Sequence, residues 1–238
     1  MIRGLWFFCL ASVASAATVV TIQPSSTTPN SGDAYLRAAA PASNFGNSGA
    51  LVVSGSGAAN TNGQFASFLK FDLATAKTAF DAAYGIGNWT LDSVQLQLTA
   101  ATPNNPVFNA NAAGLIFIEW LADDTWLENA VTWNGMATVV AAGNESLGSV
   151  SYNGASSGTA LATLTASAGF THDLTSDGSA SFRLAAGDAD VSMVVNSRNF
   201  GTAANRPALI LSASAVPEPS RFIFFGTSLM CLMIRRTR

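Results

Sequence analysis

The sequence predicts an all-β protein, a jelly-roll-like antiparallel β-sandwich with one short helix insertion. Three observations lead to this prediction. Apolar and polar residues alternate with a period of two, Gly, Asn and Pro separate the apolar runs, and only one stretch is rich in helix formers. The chain has 238 residues, of which 49% are hydrophobic and 11% charged. Ordinary domains carry roughly 25% charged residues. The Ala, Ser, Thr, Asn and Gly that replace them are typical of extracellular β proteins with many turns.

The chain divides into three parts. Residues 1–16 have the composition of a signal peptide, residues 17–215 form the predicted sandwich domain, and residues 216–238 form a short tail. The middle part has about 200 residues. This length suits one β-sandwich, since such domains reach roughly 200–250 residues as a single unit.

Residues 1–16 follow the order of a secretory signal peptide. Arg3 supplies the positive start, residues 5–13 the apolar stretch, and Ala14-Ser15-Ala16 the small-residue cleavage site. We expect cleavage after Ala16. The alternative interpretation is a buried N-terminal strand.

The C-terminal tail also has three parts in order. Val216-Pro217-Glu218-Pro219-Ser220 interrupts regular structure, because both prolines fix φ and lack an N–H. Residues 222–234 form an apolar run of 13 residues, predicted as a short apolar helix, and four residues rich in arginine end the chain. A spanning helix needs roughly 20 apolar residues, so this run is short. The arginines suit a cytoplasmic stop.

This tail resembles the PEP-CTERM sorting signal of Gram-negative bacteria, whose signature is present as Pro217, Glu218 and Pro219. The resemblance implies an exosortase-type membrane processing enzyme as a partner, transient contact with the inner membrane, and removal of the tail. It also implies surface display or release, often in bacteria that make exopolysaccharide and biofilm. The alternative is a plain membrane anchor that is retained.

Six segments of the middle part are predicted strands. In the clearest one, Val94, Leu96 and Leu98 alternate with polar residues, which gives one buried and one solvated face. The near-continuous apolar run at 115–121 is expected for a central strand. The six predicted strands are 51–53, 68–73, 93–99, 115–121, 191–195 and 208–211.

Residues 74–84 are the predicted helix insertion, since they include good helix formers and end at Gly85, a suitable C-cap. Residues 155–169 are small and low in complexity, which indicates a long loop with a weak edge strand. Clusters of Gly, Asn and Pro predict further loops at 41–49, 55–63 and 103–111.

The predicted domain is acidic. Residues 17–215 carry six basic and thirteen acidic side chains, a net charge near −7. A nucleic-acid-binding protein needs clustered Lys and Arg, so nucleic acid is not an expected partner. Both cysteines, Cys9 and Cys231, lie outside the predicted domain, so we expect no disulfide in it.

Several segments of the middle part occur in the same order in a known family. The most specific is W-L-E-N-A-V-T-W-N at residues 126–134, which fits the family pattern W-x-E-x-x-(V/T)-T-W-N. The other segments are 33–37, 44–46, 51–53, 68–73, 91–98, 172–174, 196–199 and 206–209. From residue 33 to about residue 213 the chain therefore resembles the DNRLRE family, which includes carbohydrate-binding modules.

The resemblance implies a jelly-roll β-sandwich that binds polysaccharide or serves as a non-catalytic surface module. The chain departs from the family at Asn196-Ser197-Arg198-Asn199, where many relatives have Ser-Arg-Glu. The insertion at 74–84 and the Ala-rich stretch at 155–169 are further departures. They leave the identity of the ligand open.

Residue chemistry gives little support for catalysis. His172 is the one histidine and no G-x-S-x-G turn is present, so we expect His172 at a strand edge rather than in a triad. Paired carboxylates could hydrolyse a glycoside, and the candidates are Glu119, Asp123, Asp124 and Glu128. For Glu128 we expect hydrogen bonds from loop amides instead, and no residue is assigned a catalytic role.

A structural calcium ion is the one cofactor that the sequence leaves open. Calcium prefers several oxygen ligands, and Asp33, Asp72 and Asp173 each begin or end a candidate strand. No D-x-D-x-D-G loop is present, so no ligand set is assigned.

Sugar binding requires an exposed aromatic ring and polar or charged groups for hydroxyls or uronates. Trp89 follows Gly87-Asn88 and is predicted to be exposed in a loop, while Trp126 and Trp133 are expected in the core. Lys70 and Arg37 are predicted to point outward and line one sheet face. The candidate ligand-binding residues are Arg37, Lys70, Trp89 and Arg198. An anionic polysaccharide is the less natural ligand for so acidic a domain, unless these cations cluster.

We therefore expect a non-catalytic surface or matrix protein, exported across the inner membrane of a Gram-negative bacterium and associated with exopolysaccharide. Two alternatives stay open. One is a purely structural envelope or biofilm protein without sugar specificity, and the other is a polysaccharide-degrading enzyme.

Overall fold

The computed structural model describes residues 16–217 except 26–29, 60–61, 103–107, 109 and 177. The predicted signal peptide before Ala16 and the predicted tail from Glu218 onward, with its apolar helix, lie outside the described residues. Within the described ranges, no helix combines the length and the apolar character needed to cross a bilayer.

The described part of the chain is built mainly from strands. The strands are β1 (Thr18–Ile22), β2 (Gly32–Arg37), β3 (Ala50–Ser54), β4 (Phe65–Asp72), β5 (Trp89–Thr99), β6 (Gly114–Leu121), β7 (Asn144–Tyr152), β8 (Thr159–Leu164), β9 (Ser179–Ala186), β10 (Ser192–Asn196) and β11 (Ala208–Ala215). The α-helices are α1 (Ala74–Tyr84), α2 (Trp133–Ala141) and α3 (Ala168–Thr175).

Two antiparallel sheets form the molecule. The smaller sheet has the order β1-β11-β5-β8. The larger sheet has the order β10-β3-β4-β9-β6-β7, with β2 paired to β4 off this path. The non-consecutive neighbours require crossovers between the sheets. The predicted fold class, an all-β sandwich, is confirmed.

The main core lies between the two sheets. Val94, Leu96 and Leu98 of β5 are each no more than 1% exposed, which confirms the predicted alternation. From the larger sheet, the rings of Phe71 and Phe182 lie 5.5 Å apart in the same cluster. Burying one such side chain contributes about 1.5–3 kcal/mol, so the two apolar faces hold the sheets together.

A second cluster covers part of the outer face of the larger sheet, the side away from the main core. Leu36 of β2 and Phe68 of β4 pack there against Trp126, Val131 and Val139. The polypeptide from residue 122 to the end of α2 therefore lies across one part of the outer face. Alternate residues of β6 and β7 on this face stay open to solvent.

Helix α1 occupies the predicted residues 74–84 and ends at the predicted C-cap, Gly85, which has φ 90°. Ala76 and Phe80 bury one face of the helix against the main core. The carboxylate of Asp72 accepts a hydrogen bond from the Ala74 N–H and so marks the start of the helix.

The other two helices were not predicted. α2 begins after Thr132, whose hydroxyl accepts from the Gly135 N–H, and α3 begins after Ser167, which caps Phe170 in the same way. The expectation that His172 lies at a strand edge is wrong, since it belongs to the last turn of α3. In the stretch 155–169, β8 is the expected edge strand. The last two residues of the stretch, however, already belong to α3.

Candidate functional site

Three adjacent strands leave side chains open on the outer face of the larger sheet. The register pairs Arg183 of β9 with Glu119 of β6 and Ala185 with Phe117, which in turn pairs with Ser149 of β7. Cross-strand partners share one face of a sheet. We call this surface the outer strip. Its residues are Arg183, Ala185, Phe117, Glu119, Asn144, Ser146 and Ser149.

Phe117 is the aromatic centre of the outer strip. Its side chain is 42% exposed, whereas Ile116 and Ile118 on either side point into the main core and are fully buried. Its cross-strand neighbours Ala185 and Ser149 are too small to cover the ring. An open ring of this kind can bury the apolar C–H face of a sugar.

The polar groups of the outer strip form a short network around Glu119. Arg183 Nη1 donates to Glu119 Oε2 at 3.1 Å, and Asn144 Nδ2 donates to Glu119 Oε1 at 3.2 Å. Both members of the ion pair are about one-fifth exposed. The strip therefore offers hydrogen-bond donors and acceptors beside an aromatic ring, with its two charges balanced.

Helix α2 bounds the outer strip on one side. Trp133 and Met136 stand over Ala66 and Ala185, and Arg183 lies where this cleft meets the strip. The cleft has a volume of about 160 Å³. Its lining combines the half-buried side chains of Trp133 and Met136 with the polar side chains of Gln64 and Arg183, so the cleft adds a second aromatic ring beside the outer strip.

Four segments of the chain meet in a different place, through a charged cluster that we call the signature knot (Asp33, Asn44, Glu128 and Arg198). Arg198 donates to Glu128 from Nε, at 2.5 Å, and from Nη2. The Arg198 backbone N–H donates to Asp33 Oδ2 at 2.7 Å, and the Asp33 N–H donates to Glu128 Oε1 at 3.2 Å. Asn44 Nδ2 donates to the Glu128 carbonyl oxygen at 2.7 Å.

Burial dominates the electrostatics of the signature knot. It raises the pKa of Asp33 to about 7, although the hydrogen bond from the Arg198 N–H acts in the opposite direction. The hydrogen bond to Glu128 raises the pKa of Arg198. Gly46 is required beside the knot, because a Cβ there would lie 2.1 Å from the Glu128 carbonyl oxygen.

The segments that meet in the signature knot are among those on which the sequence resemblance was based. A comparison with known families supports the same kind of domain. The model of carbohydrate-binding module family 96 matches residues 24–213. The chain belongs to carbohydrate-binding module family 96. No curated protein matches the chain. Membership of this family supports carbohydrate binding as the class of function. Modules of this kind are usually non-catalytic.

In this family 96 module, Lys70 does not line an open surface as predicted. It points to the outer face, but the segment that precedes α2 covers it, and it is 3% exposed. Its ammonium donates to the carbonyl oxygens of Asp124 and Trp126 at 3.0 and 2.8 Å and lies 4.8 Å from the centre of the Trp126 ring. Burial lowers the pKa of Lys70. Lys70 therefore holds a loop in place.

Arg37 and Lys70 also do not share a sheet face. In the ladder between β2 and β4, Lys70 pairs with Gly32 and Arg37 pairs with Phe65. Side chains alternate along a strand, and these positions differ by an odd number, so the two cations point to opposite faces. Arg37 Nη2 donates to Asn62 Oδ1.

Trp89 was predicted to be exposed in a loop, and this prediction is wrong. It is the first residue of β5 and packs half-buried against the main core. Its Nε1 donates to Asp81 Oδ1 at 2.8 Å, and its ring centre lies 5.2 Å from that of Phe80. The ring therefore joins α1 to β5 instead of presenting a platform.

Other predicted residues have structural partners. Trp126 is in the core as expected, with 5% exposure, and Trp133 is half-buried at the cleft. Glu128 was expected to accept hydrogen bonds from loop amides, but the backbone amide that donates to its carboxylate, that of Asp33, belongs to strand β2. The outer strip as a whole was missed. One signal for it was present: Glu119 lies two residues from Phe117 and so marks the outward side of an otherwise apolar strand.

The three aspartates considered for calcium lie in separate places. Asp72 accepts from the Ala74 N–H at the start of α1, Asp173 accepts from Trp120 Nε1 at 2.5 Å, and Asp33 belongs to the signature knot. The described residues contain no group of three or more His, Cys, Asp or Glu side chains placed to hold a metal ion.

A polar cavity of about 400 Å³ adjoins the signature knot. It is lined by Arg198 and Arg206 together with Gln23, Pro24, Ser25 and Asn199. Arg206 Nε donates to the Phe200 carbonyl oxygen at 2.8 Å. No aromatic side chain of the described residues lines this cavity.

Proposed function

We propose that the chain is an exported, non-catalytic surface or matrix protein whose family 96 module binds polysaccharide through the outer strip. One observation carries the proposal. An exposed aromatic ring, Phe117, lies beside a connected set of donors and acceptors on an open sheet face, in a chain that belongs to a carbohydrate-binding family.

Binding requires no bond to be broken. The ring of Phe117 takes the C–H face of one sugar residue, and the side chains of Asn144, Ser146 and Ser149 exchange hydrogen bonds with its hydroxyl groups. The strip crosses β9, β6 and β7, with α2 as a wall on one side only. This shape suits an internal stretch of a polysaccharide chain.

Export and C-terminal processing are part of the proposal. A signal peptide at 1–16 and a tail at 216–238, with Pro217, Glu218 and Pro219 as its motif, would direct the chain across the inner membrane and to an exosortase-type enzyme. The structure supports these boundaries. β1 begins at Thr18, β11 ends at Ala215, and Thr18 pairs with Ala213, so both proposed cuts leave the strand ladder whole.

Retention of residues 17–215 on immobilised polysaccharides tests the binding proposal. Retention on at least one polysaccharide is expected, and the same preparation should not shorten the polymers. Retention on none would favour the structural alternative, and release of short sugars would favour the enzyme.

The mass of the protein isolated from its host tests the processing proposal. A chain that begins at Ala17 and ends near Pro217 is expected. A chain with both ends intact, found in the cytosol, would contradict it.

A further inference from the structure

The loop between α1 and β5 exposes a large apolar side chain. Gly85 and Gly87 lie on either side of Ile86 and have φ angles of 90° and 71°, which glycine adopts at no steric cost. The two glycines turn the backbone so that Ile86 is 83% exposed, more than any other large apolar side chain that the structure describes. Ile86 therefore adds nothing to the core of the module.

Two further exposed apolar side chains lie at the same end of the module. Val216 follows β11 and is 47% exposed, and its N–H donates to the Asn88 carbonyl oxygen at 3.0 Å, where the loop ends. Val19 of β1 is 62% exposed, and the N–H of the residue before it donates to the Tyr84 hydroxyl at 2.7 Å, where α1 ends. We call these three residues (Val19, Ile86 and Val216) the terminal patch. Exposed apolar residues that lie together mark sites of contact with a protein or a membrane.

Both apolar segments outside the module join it beside the terminal patch. The Tyr84 hydroxyl donates to the Ala16 carbonyl oxygen at 2.9 Å, so the predicted signal peptide joins the module here. The predicted tail follows Val216 directly, and its apolar run at 222–234 is followed by arginines. An apolar run flanked by arginines on its C-terminal side has affinity for a bilayer. The sequence therefore brings a membrane surface to this end of the module.

The length of the tail determines how close this end must come to the membrane. A helix of 13 residues, the length of the apolar run, spans about 20 Å, whereas the hydrocarbon core is about 30 Å thick. With the arginines at the cytoplasmic surface, residues 217–221 must cover the other ~10 Å. The six backbone steps from Val216 to Phe222 span at most about 21 Å. Val216 must therefore lie within about 11 Å of the hydrocarbon core, little more than the depth of the headgroup layer.

We infer that the terminal patch rests on the outer surface of the inner membrane while the tail is attached, with Ile86 inserted among the lipid headgroups. This inference rests on the export and processing proposed above and is independent of polysaccharide binding. The aspartates of this end are bonded within the module. Asp81 is paired with Lys77 at 2.6 Å, and Asp92 accepts from Ser214 Oγ at 2.7 Å. Removal of the tail would release the patch, and the module with it, from the membrane.

Fluorescence quenching by spin-labelled lipids tests the inference on the exported chain before tail removal, residues 17–238, in vesicles of phosphatidylethanolamine and phosphatidylglycerol. Cys231 is the one cysteine of this chain, and it carries the fluorescent label within the apolar run in the first protein. Two other proteins combine Cys231→Ser with a labelled Ile86→Cys or Leu161→Cys. Leu161 is the matched control, because it is 50% exposed and pairs with Gln97, about 27 Å along β5 from Trp89 at the patch.

Most of the fluorescence at positions 231 and 86 should be lost, and little at position 161. Quenching at 231 without quenching at 86, or equal quenching at 86 and 161, would overturn the inference and leave membrane contact of the tail standing. No quenching at 231 would remove the proposed membrane contact of the tail and this inference with it. Circular dichroism spectra equal to that of the unlabelled chain show that the three labelled proteins are folded.

Discussion

Arg198 donates two side-chain hydrogen bonds to the carboxylate of Glu128, and this pair joins the segment 196–199 to the tryptophan segment 126–134. The backbone N–H of Arg198 binds Asp33 at the same place. The sequence proposed Arg198 as a ligand contact. Its position in the structure makes it first a structural residue, because it connects parts of the chain that are far apart in sequence.

Breaking this pair should destabilise the module strongly. Glu128→Gln leaves the largely buried guanidinium of Arg198 without a counter-charge, and we expect the free energy of unfolding to fall by about 3 kcal/mol. Urea denaturation measures it. Lys77→Gln, which breaks a more exposed pair within one helix, is the matched control and should change stability far less. Equal effects of the two changes would contradict the structural role of the knot.

The signature knot should also make stability depend on pH. Asp33 has a pKa of about 7 in the fold, against an ordinary value of about 3.9. The native state therefore holds this proton more tightly than the unfolded state does. The contribution of Asp33 to the free energy of unfolding should grow as the pH falls from about 7 towards about 4, and should be constant above that window.

Comparison with Asp33→Asn isolates this titration. Denaturation of both proteins between about pH 5 and pH 8 should show the unchanged protein gaining stability relative to the variant as the pH falls. Parallel profiles, with a constant difference, would mean that Asp33 titrates with an ordinary pKa.

Lys70 should matter for stability and leave binding unchanged. Lys70→Met leaves the carbonyl oxygens of Asp124 and Trp126 without this donor, and we expect a loss of about 1–3 kcal/mol. The folded variant should bind polysaccharide as before. If Lys70→Met lost binding at unchanged stability while Lys77→Met kept it, Lys70 would be a ligand contact after all.

Ala185→Glu should block the outer strip without removing any contact of the fold. The new side chain would stand beside Phe117 and over the cleft floor, so retention on polysaccharide should fall at least about tenfold. Ser212→Glu adds the same charge to the outward side of the smaller sheet and should have no effect. Equal losses would indicate that net charge, rather than the strip, controls retention.

Much of the sandwich was predictable because local pattern decides it. In β5, the alternation of Val94, Leu96 and Leu98 with polar residues indicates that one side of the strand is buried. The composition of residues 74–84 likewise indicates a helix with one buried side. β7 escaped prediction because its outward side consists of Asn and Ser, which are common in loops. α2 escaped because its first residues, Trp133 and Asn134, belong to the segment 126–134, which was interpreted only as a family motif.

The candidate site was less predictable, because it depends on which neighbours cover a residue. Lys70 and Phe117 both point to the outer face of the larger sheet, yet the segment before α2 covers only the first. The local sequence around Lys70 or Phe117 does not predict where that segment lies. The partnership of Arg183 with Glu119 likewise depends on a ladder between strands that are far apart in the chain.

The most direct test is the binding of the mature module before and after Phe117→Ala, with Leu161→Ala as the matched control. Leu161 is 50% exposed on the outward side of the smaller sheet. The proposal predicts that Phe117→Ala weakens retention on the bound polysaccharide about tenfold at unchanged stability, while Leu161→Ala retains it. Full retention by Phe117→Ala would show that the ligand does not bind at the outer strip.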